Sequence, residues 1–406
     1  MKKKIMFLIT GLLSIVLMNP NNVNAKMVAY SIGTDYGTGN INTSTDAINA
    51  CEAYYSSGKY SSYYTTKPTY SYISGNNPNT NKPRLESDIV FLSGHGNYDR
   101  MVFNYLNKGG NYATGVYMGT SQTLNGYKLA GIKNYNMSNA GLVIYAGCLT
   151  GLEGVTNIAE VTYTSGATTT MGWRNSIEAV SHTEWLKRFN TKLGEGLSVW
   201  NAVDYANKFD YNDNDVKDIS IYGNMDYVIT SGAKAHYTTF NSESLKEKDL
   251  NIAFDDDKEI ESLINEYIKN NINSEFDSSN YKVEKHTTLG FSYYDYKFIY
   301  NSYITNSTYT FKVDNSAKKI VKYIDNTIDL SKIPSTQQAT TYQKDESTVI
   351  KNATNRILAN QNNEIVSQKS EKIYDAKENK FKWYVRTEVF EKDSNTYYVD
   401  TYFEEI

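Results

Sequence analysis

Two short segments of this 406-residue chain carry side chains able to do covalent chemistry, and each follows an apolar run. Ile89-Val90-Phe91-Leu92 leads into Ser93-Gly94-His95-Gly96, and Leu142-Val143-Ile144-Tyr145 leads into Ala146-Gly147-Cys148-Leu149-Thr150-Gly151. A thiol with a neighbouring imidazole is what a cysteine-type hydrolase needs. The thiolate attacks a carbonyl carbon, and the imidazole hands a proton to the leaving amine. Glycine beside each residue lets a substrate chain approach the backbone and frees N–H groups to face an oxyanion. On this reading His95 and Cys148 are the catalytic pair, and the N–H groups of Gly96 and Cys148 form the oxyanion hole.

The elements that position such a pair are buried strands. Continuous apolar runs bounded by glycine and turn residues read as strands of a parallel sheet, and ligands bind beyond the carboxyl ends of such strands. From Met27 onward strands alternate with helices, the signature of a parallel sheet covered on both faces. Val28–Ile32 is a strand, and a helix starts near Thr43–Asp46 and buries Cys51 on its inner face. Tyr63–Tyr72 holds a further strand, and residues 97–140 are excursions over the top of the sheet. After Cys148 come a helix over Gly154–Tyr163, a strand over Ala167–Gly172, helices over Ile177–Leu193 and Ser198–Phe209, and a closing strand at Ile219–Tyr222.

Residues 1–25 read as a secretory leader: Lys2-Lys3-Lys4, an apolar core from Ile5 to Met18, and Val23-Asn24-Ala25 as a small-residue cleavage site. The core is too short for a membrane span, so the mature chain is expected outside the cell without an anchor. Losing the three leader lysines takes the formal charge from −4 to −7. No basic stripe remains to neutralise phosphates, which argues against nucleic acid as a partner. Two cysteines make no disulfide framework for a chain of this size, and Cys148 reads as a free thiol.

Composition shifts near residue 241. Residues 26–240 carry a net charge of −1 and residues 241–406 one of −6. We read 241–258 as a linker, with any zymogen cleavage near Lys246 or Lys248, and 259–406 as an α+β accessory or pro-domain. A weak internal repeat divides it into 259–330 and 345–406, each a helix followed by antiparallel strands.

The order apolar strand, His95-Gly96, spacer, apolar strand, Cys148 resembles the caspase-like cysteine peptidases: caspases, legumains, gingipains and clostripains. The 53 positions between His95 and Cys148 match the roughly 50 between the caspase histidine and cysteine. Met171-Gly172-Trp173, with Trp185, Phe189, Leu193, Gly196 and Ala202, is similar to the strand and helices that follow the nucleophile in bacterial members. Ile221-Tyr222-Gly223-Asn224 resembles their closing strand. The resemblance covers about residues 27–230. It implies a three-layer α/β/α sandwich on a mostly parallel six-stranded sheet, and a secreted endopeptidase working through a thioester. Around Cys148 the caspase Gln and basic residue are missing, which puts cleavage after Asp in doubt.

Specificity has two readings. Clostripains and gingipains prefer a basic residue before the cut bond, which Asp99 or Glu153 would read here. Trp173-Arg174-Asn175-Ser176 resembles the caspase stretch whose arginine binds an acidic side chain, so Arg174 would serve an acidic preference. Of another class is a secreted binding or adhesion protein that uses the domain as a scaffold. The C-terminal region is expected to dock or to inhibit intramolecularly. Asp210, Asn212, Asn214 and Asp218 fall at calcium-loop positions, but Asp215 stands at the glycine position and Ile221 at the terminal glutamate, so we read an acidic surface loop. No cofactor is expected and no His/Cys cluster suggests zinc; His182, His236 and His286 receive no role.

Overall fold

A computed structural model describes residues 27–229, except 38–39 and 108–109, and residues 245–405, except 330, 332, 334–343 and 377. The expected leader, His236 and residues 241–244 lie outside the described residues. No helix among the described residues is long and apolar enough to cross a membrane.

In chain order the first half contains β1 (Met27–Ile32), α1 (Ser44–Ser56), β2 (Tyr60–Thr65), the short α2 (Tyr70–Ser74) and β3 (Ile89–Ser93). A ribbon follows: β4 (His95–Asn97), β5 (Arg100–Asn107), β6 (Gly110–Tyr117), β7 (Gln122–Leu124) and β8 (Tyr127–Gly131). Then come β9 (Leu142–Ala146), α3 (Ile158–Thr164), β10 (Thr169–Trp173), α4 (Ala179–Gly194), α5 (Val199–Asn207) and β11 (Ile219–Gly223). Six strands form one sheet in the order β11-β10-β9-β3-β1-β2. All its pairings are parallel except β10 with β11. The chain is therefore α/β with a mostly parallel six-stranded sheet.

Alternation along the strands sends side chains to two cores. Ile89, Phe91, Leu142, Ile144 and Ala146 pack with Trp173, Trp185 and Phe189 on one face, whereas Val90, Leu92, Val143 and Tyr145 pack with Met101, Phe103 and Ile158 on the other. Helix starts carry the expected caps: Asn157 accepts from the N–H of Glu160, Ser198 from that of Asn201, and Glu178 from those of Val180 and Ser181. The excursion expected over 97–140 is the β4–β8 ribbon, and the strand expected over Tyr63–Tyr72 ends at Thr65 before α2.

The second half contains β12 (Lys246–Ala253), α6 (Ile260–Asn271), β13 (Tyr281–Thr288), β14 (Phe291–Tyr300), β15 (Tyr303–Asp314), β16 (Lys319–Asn326), α7 (Glu346–Leu358), β17 (Asn363–Asp375), β18 (Lys380–Glu391) and β19 (Thr396–Glu405). Ile260, Ile264 and Ile268 of α6 pack on Tyr296, Phe311 and Val313, and Val349 and Ala353 of α7 pack on Trp383 and Val385. The linker expected over 241–258 needs correcting: from Lys246 it is an edge strand, with Lys246 opposite Asp325 and Lys248 opposite Tyr323. Its charged side chains suit an exposed sheet edge, and ladder pairing makes the two lysines poor sites for proteolysis.

The C-terminal strands do not form a separate body. β19 pairs with β4 at Tyr397 and Gly96, so one extended sheet runs from the ribbon into the second half. Buried charges join the halves as well. Lys217, before β11, lies 2.5 Å from Asp295 of β14, both side chains fully buried, and Thr310 donates to the other Asp295 oxygen. Lys297 lies 3.1 Å from both Asp210 and Glu284. The loop over Asp210–Asp218 is thus more than a surface loop: Asp213, Asn214 and Lys217 are buried, Lys297 pairs with Asp210, and Arg386 of β18 meets Asp213 and Asp215. Removing one partner of a buried pair strands the other charge. Lys217→Ala is expected to lower stability by about 3–5 kcal/mol. Lys322→Ala, whose partner Glu247 is solvated, should cost about 0–1 kcal/mol. Urea unfolding checks both, and equal losses would remove the buried pair from the account.

Candidate functional site

Parallel pairing of β3 with β9 sets Ser93 opposite Ala146, so the segments that follow leave the sheet side by side. His95 comes two residues after one strand end and Cys148 two after the other. Ser93 is anchored from below. Its carbonyl accepts from Thr43 Oγ1 at 2.7 Å, and its hydroxyl donates to Asp46 at 2.6 Å. Asp46 also accepts from Thr183 on α4, and burial raises its carboxyl to about 6.

The two segments interlock. A Cβ on Gly96 would lie 2.4 Å from the Cys148 carbonyl oxygen and 2.9 Å from its nitrogen, and one on Gly147 would lie 2.6 Å from the Gly94 carbonyl oxygen. Leu149 has φ +61°, a conformation that costs a non-glycine residue about 1–2 kcal/mol. It turns the chain directly after the thiol, and its N–H donates to Asn175 O at 3.2 Å. Thr150 Oγ1, fully buried, lies 2.7 Å from Tyr145 O and 2.9 Å from Gly147 O and staples the loop shut.

His95 is 1 % exposed, between the rings of Tyr36 (4.2 Å between centroids) and Tyr398 of β19 (4.8 Å). Its N–H donates to the Tyr36 hydroxyl, which donates in turn to Val102 O. Nε2 faces Asn40 Oδ1 at 2.9 Å, which assigns the ring proton to Nε2, while Nδ1 is buried without a partner among the described residues. Burial lowers the imidazole to about 3, so it is neutral. Cys148 is a free cysteine, 4 % exposed, and the Ile177 N–H points at Sγ at 3.4 Å. Burial pushes the thiol up to about 12, against a smaller opposite pull from the Ile177 contact and Arg386. The Cys148 backbone nitrogen lies against Gly96, where an added Cβ would come within 2.9 Å of it.

Of the specificity candidates, none points a free charge at this place. Asp99 is bonded by Arg100 at 2.7 and 2.5 Å. Glu153 and Arg174 pair with each other at 2.8 Å, and Arg174 Nε donates to Ser220. Trp173 is fully buried in the core, its ring N–H donating to Val216 O. Asp215, Asp218 and His286 each bring one ligand atom within 4.8 Å of the others, a grouping that the scattered histidines gave no reason to expect.

What sequence reasoning missed is the lid. Two rims flank Cys148, residues 95–97 and 176–178, and the β18–β19 hairpin lies across both. On the first rim β19 pairs with Gly96, and Asn97 Nδ2 donates to Asn395 O at 2.9 Å. On the second, Ser176 Oγ donates to Glu388 at 2.6 Å, Arg386 donates to Ser176 O, and Glu178 bridges to Val399. A detectable signal existed: of 22 basic residues in 241–406 just two are Arg, and Arg386 stands between Val385 and Thr387 in a strand pattern.

Two outcomes follow from this geometry. At pH 8 iodoacetamide should label Cys148 about 10³-fold more slowly in the native chain than in urea, because a thiol near 12 is hardly ionised. Peptide mass mapping reads it, and equal rates would contradict a covered thiol. Gly96→Ala should cost about 1–3 kcal/mol in denaturant unfolding, since the added methyl meets backbone rather than a movable side chain. An unchanged midpoint would show that the loops are not interlocked. No family model and no curated protein matches the chain.

Proposed function

We propose that the chain is an exported cysteine endopeptidase of caspase-like architecture, its C-terminal region two related helix-plus-sheet units that hold the site closed. The carrying observation is the β3–β9 register, which sets an imidazole with an unpartnered Nδ1 and a free thiol on adjacent strand ends. With the hairpin lifted, water reaches the thiol and the burial penalty that holds it near 12 falls away. His95 Nδ1 then takes the thiol proton, and Cys148 Sγ attacks the peptide carbonyl. The resulting oxyanion is held by the Cys148 N–H and by Gly96. Nδ1 passes the proton to the leaving amine, the C–N bond breaks and a thioester remains. Water attacks the thioester, its proton returns through Nδ1, and the thiol is regenerated. The residue before the cut bond is basic in this reading.

One observation favours the scaffold alternative. Both residues are buried, and the hydrogen-bond contacts of Cys148 Sγ are to Ile177, not to His95. The deciding experiment incubates the chain with amide peptides bearing Arg, Lys, Asp or Asn before the scissile bond, alongside intact mass of the chain itself. Cleavage is expected with Arg and Lys peptides, lost in Cys148→Ala and reduced about 10²–10⁴-fold in His95→Ala. Absence of any Cys148-dependent cleavage, in the wild type and in variants that weaken the hairpin contacts, would sink the peptidase and leave a binding protein.

A further inference from the structure

Arg386 sits in the middle of β18, on the face it shares with Tyr384 and Glu388. Its Nη2 donates to the Ser176 carbonyl at 2.6 Å and lies 3.1 Å from Asp215 Oδ2, while Nε lies 3.1 Å from Asp213 Oδ2. These receiving groups all belong to the first half of the chain, and they adjoin the thiol. Ser176 precedes Ile177, whose N–H points at Cys148 Sγ, and Asp213 Oδ2 also accepts the Glu178 N–H at 2.7 Å. The guanidinium is thus held one peptide unit from the segment that touches the sulfur.

The receiving groups have the form of a socket. A carbonyl oxygen and two carboxylates meet one guanidinium from different sides, an arrangement that suits a planar fork better than an ammonium. Acid is in excess around it: burial first, then the charge of Asp213, hold the Asp215 carboxyl up at about 7 even with Arg386 present. A cavity of ≈ 280 Å³ opens beside it, with Asp213, Asp215 and Arg386 at one part of its wall and Glu284, Lys282 and Lys369 elsewhere on it. Space therefore continues past the present occupant, and the far carboxylates Glu284 and Glu371 are already paired with Lys282, which leaves Asp213 and Asp215 as the acids that face the guanidinium.

We propose that Asp213, Asp215 and the Ser176 carbonyl form the pocket for the basic side chain of the peptide to be cut, and that Arg386 fills this pocket in the intact chain and keeps the thiol covered. The inference rests on the peptidase reading above. It moves the recognition of a basic residue from Asp99 and Glu153 to a pair of carboxylates that the second half of the chain itself occupies. A neutral side chain entering there would leave the buried Asp213 carboxylate unpaired, which sets the preference. Because the occupant is tethered, a substrate must compete against a high effective concentration.

The test uses the full chain and separates the pocket from the chemistry. Agmatine, a small guanidinium, is titrated calorimetrically into the wild type, Arg386→Ala, and Arg386→Ala combined with Asp213→Asn or Asp215→Asn. Binding to Arg386→Ala at least tenfold tighter than to the wild type, and weakened again by either Asp→Asn change, is expected. No binding by an Arg386→Ala chain whose circular dichroism matches the wild type overturns the pocket and makes Arg386 a plain interface clamp. In parallel, Arg386→Ala and Arg386→Gln should cut an Arg peptide at least tenfold faster than the wild type, with the gain abolished by Cys148→Ala. Equal Cys148-dependent rates in the wild type and both variants overturn the plug. Agmatine binding without Cys148-dependent cleavage of any peptide sinks the peptidase reading and leaves a guanidinium socket standing.

Discussion

The pairing of β3 with β9 is the constraint on which the site depends. Ser93 against Ala146 leaves two free chain ends of equal reach, one carrying an imidazole and the other a thiol. A one-residue slip would send one of the two segments to the wrong face of the sheet, because side chains alternate with period two. The register is held by alternation itself: Ile89, Phe91, Leu142 and Ile144 fill one core while Val90, Leu92 and Val143 fill the other, so neither strand can shift without exposing both sets. Thr43, Asp46 and Thr183 then tie the β3 end to two helices, and the glycines allow the two loops to touch backbone to backbone.

Over this edge lies a cover that works by replacing solvent. The β18–β19 hairpin gives the 95–97 rim a strand partner, sets Tyr398 beside the imidazole and supplies Glu388 and Arg386 to the opposite rim. Its principal electrostatic effect on the pair is desolvation: the thiol rises and the imidazole falls, so both groups are held in their neutral forms. The same hairpin brings a positive charge to the carboxylates beside the thiol, which explains why buried Asp213 is tolerated so close to a sulfur.

The sheet and its two reactive loops were legible because they rest on local information. Apolar runs, flanking glycines and helix spacing describe what a segment does with its nearest neighbours, and β1, β3, β9, β10, β11 and the helices α1, α3, α4 and α5 fall close to where those patterns place them, whereas β2, α2 and the β4–β8 ribbon do not. The specificity residues were not legible, since a carboxylate's role depends on what is beside it. Asp99 reads as available until Arg100 is seen closing on it, and Glu153 until Arg174 does the same. Asp215 was noticed only as the residue at the glycine position of a calcium-like run and Asp213 not at all, because their partner lies more than 170 positions away on β18. The lid was hidden for the same reason: a hairpin's own sequence does not say which surface it will cover.

The charged seam between the halves has a thermal consequence. An apolar lid draws its hold from water ordering, which weakens on cooling and leaves a large heat-capacity change when the lid departs. Here Lys217 meets Asp295 and Asp210 meets Lys297 across the contact, and exposing polar groups changes heat capacity in the opposite sense to exposing apolar ones. The two contributions offset in proportion to the charged share. Separating the two halves therefore carries a smaller heat-capacity change than parting an apolar seam of equal area would.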